Sequence, residues 1–204
     1  MIELPTFSEL EFMEKDHVYK LNGIEIPSVT QVMEPLSTAH YSGINAAVLD
    51  KAAARGTAVH NAIENYLLFG IDDIPGEFGG YYEAFKKWWT DASPILVGTE
   101  HRVYHKVARY AGTIDLVCEV GGKLMLVDIK TSSQIIEMLT RVQLEAYQKA
   151  VNSHQMPIEG KGILHLTRDG KYTLNAKYEA SDTEAWKVFI GLLAIRNYEA
   201  KYRR

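Results

Sequence analysis

The twenty residues Gly112–Thr131, GTIDLVCEVGGKLMLVDIKT, constrain this chain more than any other stretch. Two runs rich in β-branched and aliphatic residues flank Gly121-Gly122, a dipeptide suited to a two-residue hairpin turn. With that turn Val120 faces Lys123, and counting back along both strands sets Asp115 opposite Asp128. Opposed side chains in an antiparallel pair lie about 5 Å apart at Cβ, and like charges placed so repel unless something positive lies between them. Alternation puts Lys130 on the face of Asp128. Leu124 and Leu126 line that same face, while Met125, Val127 and Ile129 line the other, so the second strand is apolar on both sides and belongs in the middle of a sheet. Charges at the end of a buried strand persist when they are paired or bind a metal ion.

The rest of the chain supplies partners for this hairpin. HVYKLNGIEIPSVT alternates polar and apolar residues about Asn22-Gly23 and predicts an amino-terminal hairpin. Alanine-rich Asn45–Leu68, with Val59, Ile63, Tyr66 and Leu67 at helical spacing and Gly70 as a stop, predicts one long helix or two in succession. The loop GIDDIPGEFGG leads to YYEAFKKWWTDA, an amphipathic helix whose rings are expected in the core. ILVGTEHRVYH reads as a strand before the hairpin, and Glu137–Val151 as a helix after it. Two more strands are expected around Asp169-Gly170, and a last helix from Ser181, where Ser181 and Glu184 have the spacing of a capping box. The expected architecture is one α/β domain spanning residues 1–204, a central mixed sheet flanked by helices. Residues 1–92 form its hairpin and helical region and 93–204 its core.

Composition narrows the function classes. The net charge of −4 gives no global attraction to nucleic acid, so any DNA contact must be local. Lys86-Lys87, His101–Arg109 and the terminal Lys201–Arg204 are the basic spots. The single cysteine, Cys118, excludes an internal disulfide framework and a four-cysteine zinc or iron-sulfur site, and is expected in the apolar side of the hairpin. No apolar run approaches a membrane span and the amino terminus has no secretion pattern, so the chain is read as soluble and cytoplasmic with no membrane partner. Neither a Walker motif nor a glycine-rich phosphate loop accompanies the carboxylates, which sets phosphoryl transfer behind hydrolysis.

GTID, VDIKT and QLEAYQKA, together with PSVTQVM and RGTAVHNAIE nearer the start, resemble the RecB-like branch of the PD-(D/E)XK nucleases. Ile114 stands where the family name has proline, next to the first aspartate and away from catalytic atoms. The resemblance implies a restriction-endonuclease-like core and DNA as substrate. It also implies one or two Mg²⁺ or Mn²⁺ ions held by His60, Asp115, Asp128 and the Ile129 carbonyl, with Glu100 binding metal or positioning water and Lys130 as the catalytic cation. Read bare, His60 is a core histidine bordering the helix face that packs on the sheet, and the resemblance makes it a ligand, with Glu64 supporting it one turn later. Gln143 and Tyr147, four apart and so on one helical face, would hold Lys130 or a phosphate and buttress the site. His101 and His105 are expected at the surface, and Thr131 and Ser132 outside the site.

Among relatives of this kind, the cluster-bearing CRISPR adaptation nucleases are excluded by the lone cysteine. The stand-alone phage or mobile-element recombination exonucleases fit a chain of this size, with a homo-oligomer or a recombination protein as possible company. A structure-specific or restriction-type endonuclease, and a non-catalytic DNA-binding subunit on the same fold, are the rivals.

Overall fold

The computed structural model describes residues 4–73, 76–156, 158–178 and 180–202. Ile74-Pro75 of the expected loop, Met1–Glu3 and the terminal Arg203-Arg204 lie outside the described residues. Among the described residues, eight strands and five α-helices follow in the order β1 (Leu10–Met13), β2 (Val18–Leu21), β3 (Ile24–Ile26), α1 (Val29–Tyr41), α2 (Ala46–Phe69), α3 (Gly79–Ala92), β4 (Ile95–Tyr104), β5 (Ala111–Val120), β6 (Lys123–Lys130), α4 (Glu137–Asn152), β7 (Gly160–Leu166), β8 (Tyr172–Asn175) and α5 (Thr183–Tyr202).

The main sheet runs β4-β5-β6-β7-β8, antiparallel except for the parallel β6–β7 pair that α4 connects. The predicted register holds: Val120 faces Lys123, and the ladder continues to Leu116 opposite Val127. As its two apolar faces require, β6 lies at the centre. Leu124 and Leu126 join Leu144, Ala146 and Phe189 under the α1-α4-α5 layer, while Met125, Val127 and Ile129 meet Val59, Ile63, Phe85 and Trp88 under α2 and α3. Cys118 is buried in the second of these cores. Tyr82, Phe85 and Trp88 are core, as the pattern of α3 requires. The amino-terminal hairpin gains a third strand, β1, and packs through Tyr19, Leu21 and Ile26 on Tyr104 and Ala111.

Two local readings need correction. The hairpin was not expected to lead into a helix, yet Ser28 and Gln31 form a complete capping box that starts α1. Within α1, Pro35 has no N–H for the Gln31 carbonyl, and that oxygen instead accepts from Arg196 Nη1 of α5 at 3.3 Å. At the start of α5 the cap is Asp182, not Ser181: Asp182 Oδ1 accepts the Ala185 N–H at 3.0 Å, while the Ser181 hydroxyl accepts from Lys149 Nζ. The choice follows from Arg141, whose Nε fixes the same carboxylate at 2.6 Å.

Candidate active site

The site forms where β5 and β6 stop pairing. Asp115 is one position beyond the last ladder pair, and its Oδ2 accepts the Ile129 N–H at 2.7 Å in place of a backbone carbonyl. One carboxylate oxygen is thereby anchored. The other, Oδ1, lies 3.7 Å from His60 Nδ1, and Glu100 Oε1 lies 3.6 Å from the same nitrogen. His60 reaches this point from the middle of α2, in the opposite layer from α4, because Val59 and Ile63 beside it are locked into the core. Glu100 reaches it from β4 with φ 46, a left-handed conformation rare for a non-glycine residue, and it sits where the β4–β5 ladder skips between Thr99–Leu116 and His101–Ile114.

The electrostatics follow from this convergence. Burial works against a charged His60, yet the Asp115 and Glu100 carboxylates outweigh it and hold the imidazole pKa at about 9. Burial raises the Asp115 carboxyl, with His60 and Lys130 pulling it back. For Asp128, burial and the neighbouring Asp115 outweigh Lys130 and raise the carboxyl to about 6. Burial also opposes the Lys130 charge, but Asp128 and Asp115 more than compensate, so Lys130 is held as an ammonium. Its Nζ is 2.9 Å from Asp128 Oδ2 and donates to Gln143 Oε1 at 3.1 Å, and Gln143 Nε2 faces the Tyr147 hydroxyl at 3.5 Å. Burial lifts the Tyr147 phenol far above its ordinary range, so it stays protonated.

These residues fit a divalent cation. His60, Glu100 and Asp115 offer one nitrogen and two carboxylate oxygens within 4.8 Å of one another. Beside them Asp128, almost fully buried, has an Oδ2 that receives no well-directed hydrogen bond. A cation there would displace the Nδ1 proton that the two carboxylates stabilise; with the remaining proton on Nε2, His60 donates to the Ile129 carbonyl at 3.1 Å and turns its Nδ1 lone pair toward the carboxylates. In that state the Ile129 carbonyl, expected among the ligands, orients the histidine. Asp128 likewise turns to Lys130 rather than into the His60-Glu100-Asp115 group.

All of these groups open on one cleft. An inner recess of about 240 Å³ touches His60, Glu100, Asp115, Asp128 and Lys130, and an outer one of about 800 Å³ runs on past Arg55, Asn61, Glu64 and Arg102. Thr30, carried by the unforeseen α1, forms part of both walls. Arg55, inside RGTAVH, was passed over in the sequence, although its place five residues before His60 was the available signal. His101 and His105 are half-buried rather than superficial, against Phe7 and Trp186 respectively, and neither joins the cluster. Of the basic spots, Lys86 is engaged by Asp72 and Glu83.

Gly112 is needed for close approach. A Cβ there would lie 2.6 Å from Tyr147 Cε1 and 3.4 Å from Val29 Cγ2. Gly112→Ala is therefore expected to displace the Tyr147 ring and cost about 1–3 kcal/mol of stability. Urea denaturation checks this, and an unchanged midpoint would mean that the ring gives way freely.

The family model that matches the chain defines its class as a nuclease. The chain belongs to the PD-(D/E)XK nuclease superfamily, whose model matches residues 76–187, more than half of its length. That span holds Glu100, Asp115, Asp128, Lys130, Gln143 and Tyr147, and leaves His60 outside. The chain is also similar to mitochondrial genome maintenance exonuclease 1 of Mus musculus, at 32% identity over 108 residues, 48% of this chain and 31% of that protein. It thus spans about a third of that relative. Among solved structures it is similar to the alkaline exonuclease LHK-Exo of Laribacter hongkongensis, at 14% identity, 70% of this chain, 80% of that one and TM-score 0.44. The same enzyme in complex with dAMP matches at 16% identity, 87% and 90% coverage and TM-score 0.45. Among the described residues no helix is long and apolar enough to cross a membrane.

Proposed function

We propose that this chain is a Mg²⁺- or Mn²⁺-dependent deoxyribonuclease that removes nucleotides from DNA ends, working in end resection or recombination. The observation that carries the reading is the convergence of His60, Glu100 and Asp115 on one point beside the Asp128-Lys130-Gln143 chain. The name of the mouse relative supports an exonuclease rather than a restriction-type endonuclease.

A phosphodiester is an anion that repels an incoming oxygen nucleophile, so hydrolysis needs its charge offset and a water held in line with the leaving oxygen. A divalent cation held by His60, Glu100 and Asp115, with Asp128 at its border, would supply Lewis acidity toward the phosphate and lower the pKa of water. The chain's own groups do the rest. Lys130, fixed from two sides by Asp128 and Gln143, stays cationic and offsets charge on the phosphoryl oxygens as the new P–O bond forms. As an ammonium it has no lone pair to take a proton, so the Glu100 carboxylate orients the attacking water and accepts its proton, while the P–O bond to the leaving oxygen breaks and that oxygen takes a proton from solvent. Tyr147 holds Gln143 and so fixes the direction from which the Lys130 ammonium approaches. The 1–204 chain acts in this reading as one domain, with α2 delivering His60 to the core sheet.

Incubation with matched linear and covalently closed circular DNA tests the reading. Cleavage is expected with Mg²⁺ or Mn²⁺, poorly with Ca²⁺ because its looser coordination misplaces the water, and not after chelation. Digestion confined to linear DNA supports the exonuclease, and equal cutting of circles would establish an endonuclease. Activity undiminished by exhaustive chelation would refute metal dependence.

A further inference from the structure

Within the cleft just described, one cation stands apart from the Lys130 network. Arg55 of α2 lines the outer recess together with His60, Glu100 and Lys130, and its Nε donates to the Thr131 hydroxyl at 3.3 Å, immediately past Lys130 on the chain. Its guanidinium lies over the Tyr81 ring, 5.3 Å from the centroid. Among the described residues no carboxylate pairs with it, whereas the neighbouring Arg102 is occupied by Glu14 at 3.6 Å. A half-buried arginine held by a hydroxyl and an aromatic face, with no anion of its own, has its orientation fixed and its terminal N–H fork unspent.

Resting on the nuclease reading above, we propose that Arg55 is a substrate-binding residue that grips the phosphodiester next to the scissile one. The planar fork presents parallel donors that match two phosphate oxygens, and the Thr131 and Tyr81 contacts orient it before DNA arrives. Thr131 thereby acquires a role: it ties the arginine to the strand end that carries Lys130, so the two phosphate-facing cations keep a constant spacing. With a net negative chain, such a fixed local cation is what a phosphate backbone can use.

Binding of a labelled oligonucleotide in Ca²⁺ across a salt series tests the proposal, with wild type, Arg55→Gln and Arg55→Lys compared by thermal melting to confirm folding. Arg55→Gln is expected to bind on the order of tenfold more weakly and to flatten the slope of log affinity against log salt by roughly one. Arg55→Lys should keep the slope while losing affinity, because charge remains and the fork does not. In Mn²⁺ the Arg55→Gln variant should lose kcat/KM, with a raised KM accounting for more of the loss than kcat does. An Arg55→Gln slope equal to that of wild type overturns the proposal and leaves the nuclease reading standing, even if affinity falls. A wild-type chain that neither binds nor cuts DNA overturns both.

Discussion

Lys130→Ala is expected to reduce turnover by on the order of 10²-fold or more while changing DNA affinity in Ca²⁺ little, because the ammonium acts chiefly on charge that develops in the transition state. The substitution also strands Asp128, whose carboxylate is buried and has the Lys130 ammonium as its ion-pair partner. A drop in melting temperature should therefore accompany it, and rates must be taken well below the transition. Lys130→Gln, which keeps a donor toward Asp128, separates the two effects: it should melt nearer the wild type and still be catalytically poor. Asp115→Ala should behave differently and lose the rise in melting temperature that Mn²⁺ gives the wild-type chain, since Asp115 belongs to the His60-Glu100 group. Near-wild-type cutting by Lys130→Ala in excess Mn²⁺ would place the activity elsewhere.

The second large effect is expected at residues that do not line the cleft. Glu145 of α4 and Lys161 of β7 form an ion pair with both side chains essentially inaccessible, and Lys161 also donates to Gln148 Oε1 at 2.8 Å. Glu145 Oε2 accepts the Asp182 N–H at 3.0 Å, so the pair joins α4, the sheet and the start of α5. Removing Lys161 leaves the buried Glu145 with only the partly exposed Lys149, 3.4 Å from its Oε1, and breaking a buried pair typically costs about 3–5 kcal/mol. Lys161→Met should lose stability on that scale in urea denaturation. Combining it with Glu145→Leu should recover much of the loss, since a buried pair exchanged for apolar residues is often nearly neutral. A double variant no more stable than Lys161→Met would show that the damage is to packing around β7, not to charge.

Much of the architecture was legible because it depends on local rules. The Gly121-Gly122 turn fixed the β5–β6 register residue by residue, and the two-sided apolarity of β6 put it in mid-sheet. Gly70, with φ 65, ended α2 where the pattern stopped. Helix α1 was missed although Ser28-x-x-Gln31 is a capping-box pattern; Pro35 inside it leaves the Gln31 carbonyl without its helical donor, and a long-range contact from Arg196 of α5 supplies one. The cap of α5 shifted by one residue for a similar reason, since Arg141 of α4 holds Asp182 in place.

From the sequence alone came the opposition of Asp115 and Asp128 and the place of Lys130 on the same face, because strand periodicity and turn length determine them without reference to the rest of the molecule. Only the tertiary structure decided how those charges divide. His60 arrives from the opposite layer and Glu100 from a left-handed position within strand β4, drawing Asp115 into their group, while Gln143 draws Lys130, and Asp128 with it, toward α4. No local spacing encodes that partition, because it is set by which helix packs on which face of the sheet, and so by the whole distribution of apolar residues along the chain.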